Sequence, residues 1–555
     1  MIQVKARYIK KKYEKTISEW AGLNQNALIG DNQFSSTTNL STKNFPLLSP
    51  RPSRTDAVTL AGTGWALFAA NQKLSWVDGT SFKYDGTTKG TVTASSKSMV
   101  DFNSRIGIFP DAKKYDYISD TFSNMLGKLN LLKYGFDDNG DVDYESSTGG
   151  TVDYTKMRNK ILIGVTPSTN YTLVNDKGYT EATVYYFDVN MNLVAYAAVN
   201  FSAFTTPSNV YYMNVSITGT DLTCAVSITG AVYPTKTAIP SIDYACTCNN
   251  RVWGVKGDNI YACRQGNIDD WTTMNADPLV TDAWTVDTGS GGDFTGIASY
   301  NNYVYAFKKT GIWKIFGHKA SNFECTNITD IGCISSKSIV EVNEALFFLG
   351  SKGIYRYTGG QPELISYDLN ATYTSGVAGG DGRRYYISLY NGSTYDLFVY
   401  DTWTNVWVQE DDSNITEFAY QYPAATPNGY LTVLKSDNHI YLYDVGSETV
   451  TMTVITKEWT ENSFNKKAVT ELNIRADLET STTLTVSTRI DNGSWVIVKN
   501  AYATADHNSF RIPIAVNRAD HFQVKFVMVG EGKIYGLERV MTIGGRIGSP
   551  SIPEN

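Results

Sequence analysis

Histidine is nearly absent from this chain, with four residues in 555, and cysteine, proline and charge are sparse. The histidines, His318, His439, His507 and His521, are scattered, and none stands in a spacing that holds a metal on one face of an element. Nucleophile elbows, phosphate-binding loops and dinucleotide fingerprints are missing too. The six cysteines lie inside strand-like runs with no paired framework, which predicts reduced, buried thiols. Cys246 and Cys248 alternate along one strand, so both thiols face one side; core packing is expected there rather than a metal pair. No run approaches the ~18 apolar residues that a membrane helix needs. Met1–Arg7 lacks the apolar centre of a secretory leader, so synthesis in the cytoplasm is expected. Charged residues are only 19% and the formal net charge is −7, with Lys10-Lys11-Lys12 the single dense basic run. A protein that grips duplex DNA needs basic stripes to neutralise phosphates, and this composition excludes that class.

What the chain has is aromatic residues, 13% of the total with 37 tyrosines, which pack well on a pleated surface. Between Asp243 and Asp444 they recur in a kernel: Asn259–Cys263, Gly311–Ile315, Gly353–Tyr357, Asp396–Tyr400 and His439–Tyr443. From Ile312 onward the kernels are about 42 to 43 residues apart, the period of a four-stranded propeller blade. An apolar strand precedes each one, for example Tyr303–Phe307 or Tyr385–Leu389, across a short polar turn. Such a strand pair cannot cover its own faces, so stacking of sheets around an axis is expected. Ser95–Asn103 matches Ser335–Asn343 closely, which places the earlier stretch in the same repeat family. With Leu74 and Tyr117 taken as kernel positions, the count is seven blades, interrupted inside or after the second.

The expected fold is therefore all-β: an about seven-bladed β-propeller with an inserted jelly-roll-like β-sandwich and a C-terminal β-sandwich. Residues 1–56 read as an extended docking arm, because Pro46, Pro50 and Pro52 oppose regular structure while Trp20, Leu40 and Phe45 favour packing. Residues 57–124 and 237–446 carry blades 1–2 and 3–7. Residues 125–236 form the insert, residues 447–545 the C-terminal sandwich, and residues 546–555 a flexible tail.

No catalytic constellation is expected, nor any cofactor or metal. Asp137–Asp143 looks like half a calcium loop, but its glycine falls at the wrong offset and the distal Glu is missing, so a solvated turn is expected. The sialidase-type S-x-D-x-G-x-x-W box is absent. Asp396 and Asp401 could pair with a carboxylate, yet Asp401–Trp407 resembles the polar turn and Trp strand of a kelch blade, where Asp and Thr satisfy backbone groups. Lys308-Lys309 and Arg383-Arg384 read as solvated residues on blade rims. If the insert binds a host surface glycan, Tyr185, Tyr196 and Tyr211 are the candidates to stack on its rings.

The plan of a Gly22-Leu23-Asn24 segment, a Pro46–Arg51 arm, a propeller with an insert and a terminal sandwich resembles tailed-bacteriophage virion proteins of the propeller-bearing tail nozzle or tail hub type. The resemblance covers most of the chain and rests on pattern. It implies a structural, non-enzymatic subunit of the virion tail, a homo-oligomer around the DNA ejection conduit, with a hexamer as the candidate arrangement and the copy number not fixed by the sequence. Its implied partners are adaptor, portal-proximal ring and fibre proteins, with the arm and the terminal sandwich making subunit contacts. Mild acidity suits a conduit that lets DNA pass without specific binding. The alternatives are a receptor- or glycan-binding tail appendage and a polysaccharide-degrading propeller.

Overall fold

The computed structural model describes residues 12–125, 131–132, 155–159, 162–221, 224, 226–229, 239–271, 280–422, 429–464, 466–503, 510–513 and 519–543. Lys10, Lys11, the acidic turn Asp137–Asp143 and the tail from residue 544 lie outside these. Regular structure among the described residues is strand, apart from three short 3-10 segments.

Six four-stranded antiparallel sheets follow chain order. They run from Gly64–Ala70 to Thr87–Thr91, Ser98–Phe102 to Thr121–Asn124, Tyr244–Cys248 to Trp284–Asp287, Gly296–Tyr300 to Glu324–Thr329, Val340–Val342 to Glu363–Leu364, and Ser375–Gly380 to Val406–Asp411. A seventh sheet joins Ile415–Gln421, Tyr430–Lys435 and His439–Tyr443 to Arg54–Thr59 from the other end of the chain. These are seven four-stranded sheets of the propeller-blade type, in the number the kernels predict. Five kernels occupy third strands; Leu74 does not. It sits in the second strand of its sheet, Lys73–Asp78, and the third strand is Ser81–Tyr84, with Phe82 fully buried. Tyr117 likewise lies just beyond the third strand Lys113–Asp116.

The chain divides into two compact units, Met1–Leu74 with Lys337–Asn555, and Ser75–Ser336. In the second, the first strands Ser98–Phe102, Tyr244–Cys248 and Gly296–Tyr300 pack in succession. The insert therefore leaves after a finished sheet, at the end of Thr121–Asn124, and not from within one. It is a sandwich. One sheet contains Lys156–Asn159, Tyr212–Thr218, Ala182–Phe187 and Leu193–Ala198, and the other Ala203–Thr205, Asn170–Asn175 and Val226–Thr229. Alternation sends Val184, Tyr186, Met213 and Val215 inward against Tyr171 and Leu173. The six cysteines are free, and Cys246 and Cys248 face the same core. Burial pushes the Cys248 thiol up to about 11. Lys308 departs from the rim expectation: it is buried, and its Nζ donates to Asp258, to Ser290 Oγ (2.7 Å) and to the Gly291 carbonyl (3.3 Å), pinning the Gly-rich loop.

In the first unit the strands Val340–Val342, Ser375–Gly380, Ile415–Gln421 and Gly64–Ala70 pack in succession. Their narrow approach needs small residues. A Cβ on Gly379 would lie 2.4 Å from the Phe418 Cβ of the neighbouring sheet. Gly379→Ala should therefore destabilise this unit by about 1–3 kcal/mol through overpacking, read as a lower denaturation midpoint with an unchanged slope.

The arm is not a docking segment laid over a surface. Lys12–Ile17 pairs with Gly532–Ile543, and Phe34–Thr38 pairs with Thr451–Thr456, so each sheet of the C-terminal sandwich takes an edge strand from it. Trp20, Leu23, Phe34, Leu40 and Leu48 are buried. Trp20 stacks on Phe34 at 4.9 Å and meets Phe526 edge-on at 6.5 Å. An ionic clasp fastens the same segment: Arg539, fully buried, donates to Glu461 (2.6 Å) and to Asp31 (2.9 Å), and Lys457 pairs with Asp31 (3.0 Å). The prolines tolerate this because Ser49–Pro50 makes only a two-residue ladder with Leu40–Ser41.

Candidate functional site

The three insert tyrosines separate. Tyr185 is only 3% exposed and packs with Phe187, Leu193 and Tyr212 on the face of the sheet turned away from the sandwich core. It offers no ring to a sugar, because its strand lies between two others. Tyr196, its cross-strand partner, covers it with ring centroids 5.4 Å apart and is 51% exposed. Tyr211 is 45% exposed, beside the end of the Ala182–Phe187 strand, where its N–H donates to the Phe187 carbonyl (2.9 Å). Val194, on the same strand face as Tyr196, is also exposed.

The Asp401 turn has the structural role expected of it. The amides of Trp403 and Thr404 donate to Asp401 Oδ1 at 3.0 and 3.3 Å, and the Thr402 hydroxyl donates to the Arg383 carbonyl at 2.6 Å. Trp407 is buried with its Nε1 donating to the Ile365 carbonyl at 2.8 Å. Asp396, raised by burial, accepts from Gln409 Nε2 at 2.8 Å. Asp396 and Asp401 stand at opposite ends of the strand Tyr395–Asp401, about 17 Å apart at the strand rise. Glycosidase carboxyl pairs need about 5–9.5 Å. Among the described residues no group of three or more His, Cys, Asp and Glu is placed to hold a metal ion. Among the described residues no helix is long and apolar enough to cross a membrane.

A feature that no sequence motif announced lies in the first unit, between the end of the arm and the blades. A cavity of about 270 Å³ is lined by Thr42, Asp381, Arg384, Tyr386, Glu410 and Tyr443 among others. The turn before Arg384–Tyr390 holds its polar edge: Arg384 Nε donates to Thr42 Oγ1 (2.8 Å), Arg384 Nη1 to Asp381 Oδ2 (2.8 Å), and the Tyr386 hydroxyl to that same oxygen (3.2 Å). Arg383 pairs with Asp401 at 2.7 Å. Arg384 is thus part of a built site and not a solvated rim residue. Behind the cavity Arg54 forks between Glu410 and Asp411 and lies 4.5 Å over the Tyr443 ring. Burial pushes Glu410 above the ordinary carboxylate range against the pull of Arg54. Asp411, despite its own burial, is held below that range by Arg54 and the Ser413 amide. Burial also drives the phenols of Tyr386 and Tyr443 far up, so both remain protonated donors. The Tyr443 hydroxyl is buried and has no hydrogen-bond partner among the described residues.

No family model and no curated protein matches this chain. Among solved structures, an exo-beta-1,3-galactanase from Phanerochaete chrysosporium aligns at 8% identity over 52% of this chain and 92% of its own, with a TM-score of 0.19. A protein from Bacteroides fragilis assigned as exported aligns at 9% identity over 77% and 98%, with a TM-score of 0.26. The extracellular domain of a protein from B. thetaiotaomicron assigned as a hybrid two-component system aligns at 9% identity over 92% and 98%, with a TM-score of 0.24. At TM-scores this low the likeness carries no functional assignment.

Proposed function

We propose that the chain is a structural subunit of a bacteriophage tail, a nozzle or hub component that assembles with copies of itself around the DNA ejection conduit. The observation that supports this best is an exposed apolar edge on an otherwise tightly locked sandwich. Among the described residues the strand Val496–Tyr502 pairs on one side only, with Thr483–Ile490, and leaves Val496, Ile497 and Tyr502 about 60% exposed. An unpaired edge carrying large apolar side chains is an aggregation hazard unless another chain covers it. In this reading the protein is made in the host cytoplasm and resides in the virion, beside adaptor, portal-proximal ring and fibre proteins. DNA passes without specific binding, in keeping with the formal net charge of −7.

The account predicts a discrete closed oligomer of the 61.4 kDa chain, a hexamer of about 370 kDa, by mass photometry. Ile497→Asp should shift that species to monomer. A wild-type chain that stays monomeric at every concentration would reject the reading. The exposure of Tyr196 and Tyr211 favours a second one, a glycan-binding insert on a tail appendage. A glycan array probed with the full chain decides it: signal that is lost in Tyr196→Ala supports this role, and silence across the array removes it.

A further inference from the structure

We propose that the cavity lined by Arg384, Tyr386 and Tyr443 is a binding site for a single neutral sugar ring, independent of the insert and of the assembly role above. The charges decide the ligand class. Each basic group at the cavity already has a carboxylate: Arg384 has Asp381, Arg383 has Asp401, and Lys43 has Asp444 at 2.9 Å. An anion would have to displace one of these pairs, whereas a hydroxyl adds to them. Unused hydrogen-bonding capacity remains on Arg384, whose bonds to Thr42 and Asp381 engage Nε and Nη1.

The shape agrees. About 270 Å³ is smaller than the ~300–1,000 Å³ of cavities for drug-sized ligands and suits one ring. Tyr420 and Tyr430 line it together with Val399, Val408 and Leu431. A pyranose has a polar rim and apolar C–H faces. The half-buried Tyr420 and Tyr430 serve the faces, while the Asp381–Arg384 pair presents an acceptor and a donor side by side to adjacent hydroxyls.

Titration of the full-length chain with methyl glycosides of glucose, galactose, mannose and N-acetylglucosamine, followed by saturation-transfer NMR, tests this. Glycerol and inorganic phosphate are the controls. One glycoside should saturate with a millimolar Kd. Arg384→Lys, which keeps a cation beside Asp381 and removes the spare guanidinium nitrogen, should weaken it about tenfold while cooperative unfolding is retained. Tyr386→Phe should weaken the same sugar. The proposal fails if no glycoside saturates by about 100 mM, if phosphate competes, or if binding survives both variants. A crystal soaked in the bound glycoside that shows ordered water only in the cavity would also overturn it. Oligomer mass does not enter these readouts, so a monomer that binds sugar would sink the ring reading alone.

Discussion

Deleting residues 12–41 will leave the C-terminal sandwich unable to fold and the chain insoluble. The deletion strips an edge strand from each sheet, those that pair with Gly532–Ile543 and Thr451–Thr456. It also removes the buried Leu23, and takes Ile17, Trp20, Phe34 and Leu40 out of a core they share with Val454, Phe526 and Met541. At about 1.5–3 kcal/mol for each large apolar side chain, the loss is about 8–15 kcal/mol, as large as the whole stability of an ordinary domain. The clasp fails with it, because Arg539, fully buried in the intact chain, loses Asp31. A segment that merely docked on a neighbouring subunit would be dispensable for solubility. Recovery of soluble, cooperatively unfolding truncated protein would show that the packing of this segment has been given too much weight.

Arg54→Met will destabilise the unit that contains it by about 3–5 kcal/mol at neutral pH, the usual consequence of leaving a buried carboxylate without its partner. Arg54 binds the side chains of Glu410 and Asp411 from a strand that completes the last blade. Methionine keeps most of the volume, so the loss reports the charge. The effect depends on pH. Glu410 is raised in the folded state, so its contribution is full below its unfolded pKa and declines as pH rises through the folded one. Asp411 is lowered, so its contribution is present above its unfolded pKa and is lost as pH falls through the folded one. In the variant Asp411 loses its main support, and Glu410 is driven further up. The deficit should therefore shrink on acidification, as both carboxyls protonate. Denaturant midpoints from pH 4 to pH 8 measure it; a deficit that is flat or grows toward acid would contradict the assignment.

The blades were legible because their third strands carry an aromatic kernel on a fixed period. The first strands were not. Ser375–Gly380 holds three glycines, chosen for close sheet approach and not for apolar alternation. The phase of the first sheet was misread for a related reason. Its second strand, with Leu74, Trp76 and Val77, is more apolar than its third, which has only Phe82 and Tyr84. The arm's strands escaped notice because Lys12–Ile17 and Phe34–Thr38 lie at sheet edges and carry few apolar side chains. Tyr185 and Tyr196 are alike in sequence and paired in register, and only strand position makes one buried and the other open. The sugar cavity had no sequence signature at all. Thr42, Asp381, Glu410 and Tyr443 come together from far-separated positions, and their meeting is visible only once the fold is known.

An electron cryomicroscopy map of the purified full-length chain tests the central claim most directly. The account predicts copies arranged around an open channel, each with seven four-stranded blade sheets, and the Val496–Tyr502 edge covered by a neighbouring copy. Isolated particles with that edge bare, or subunits that close the channel, would contradict it.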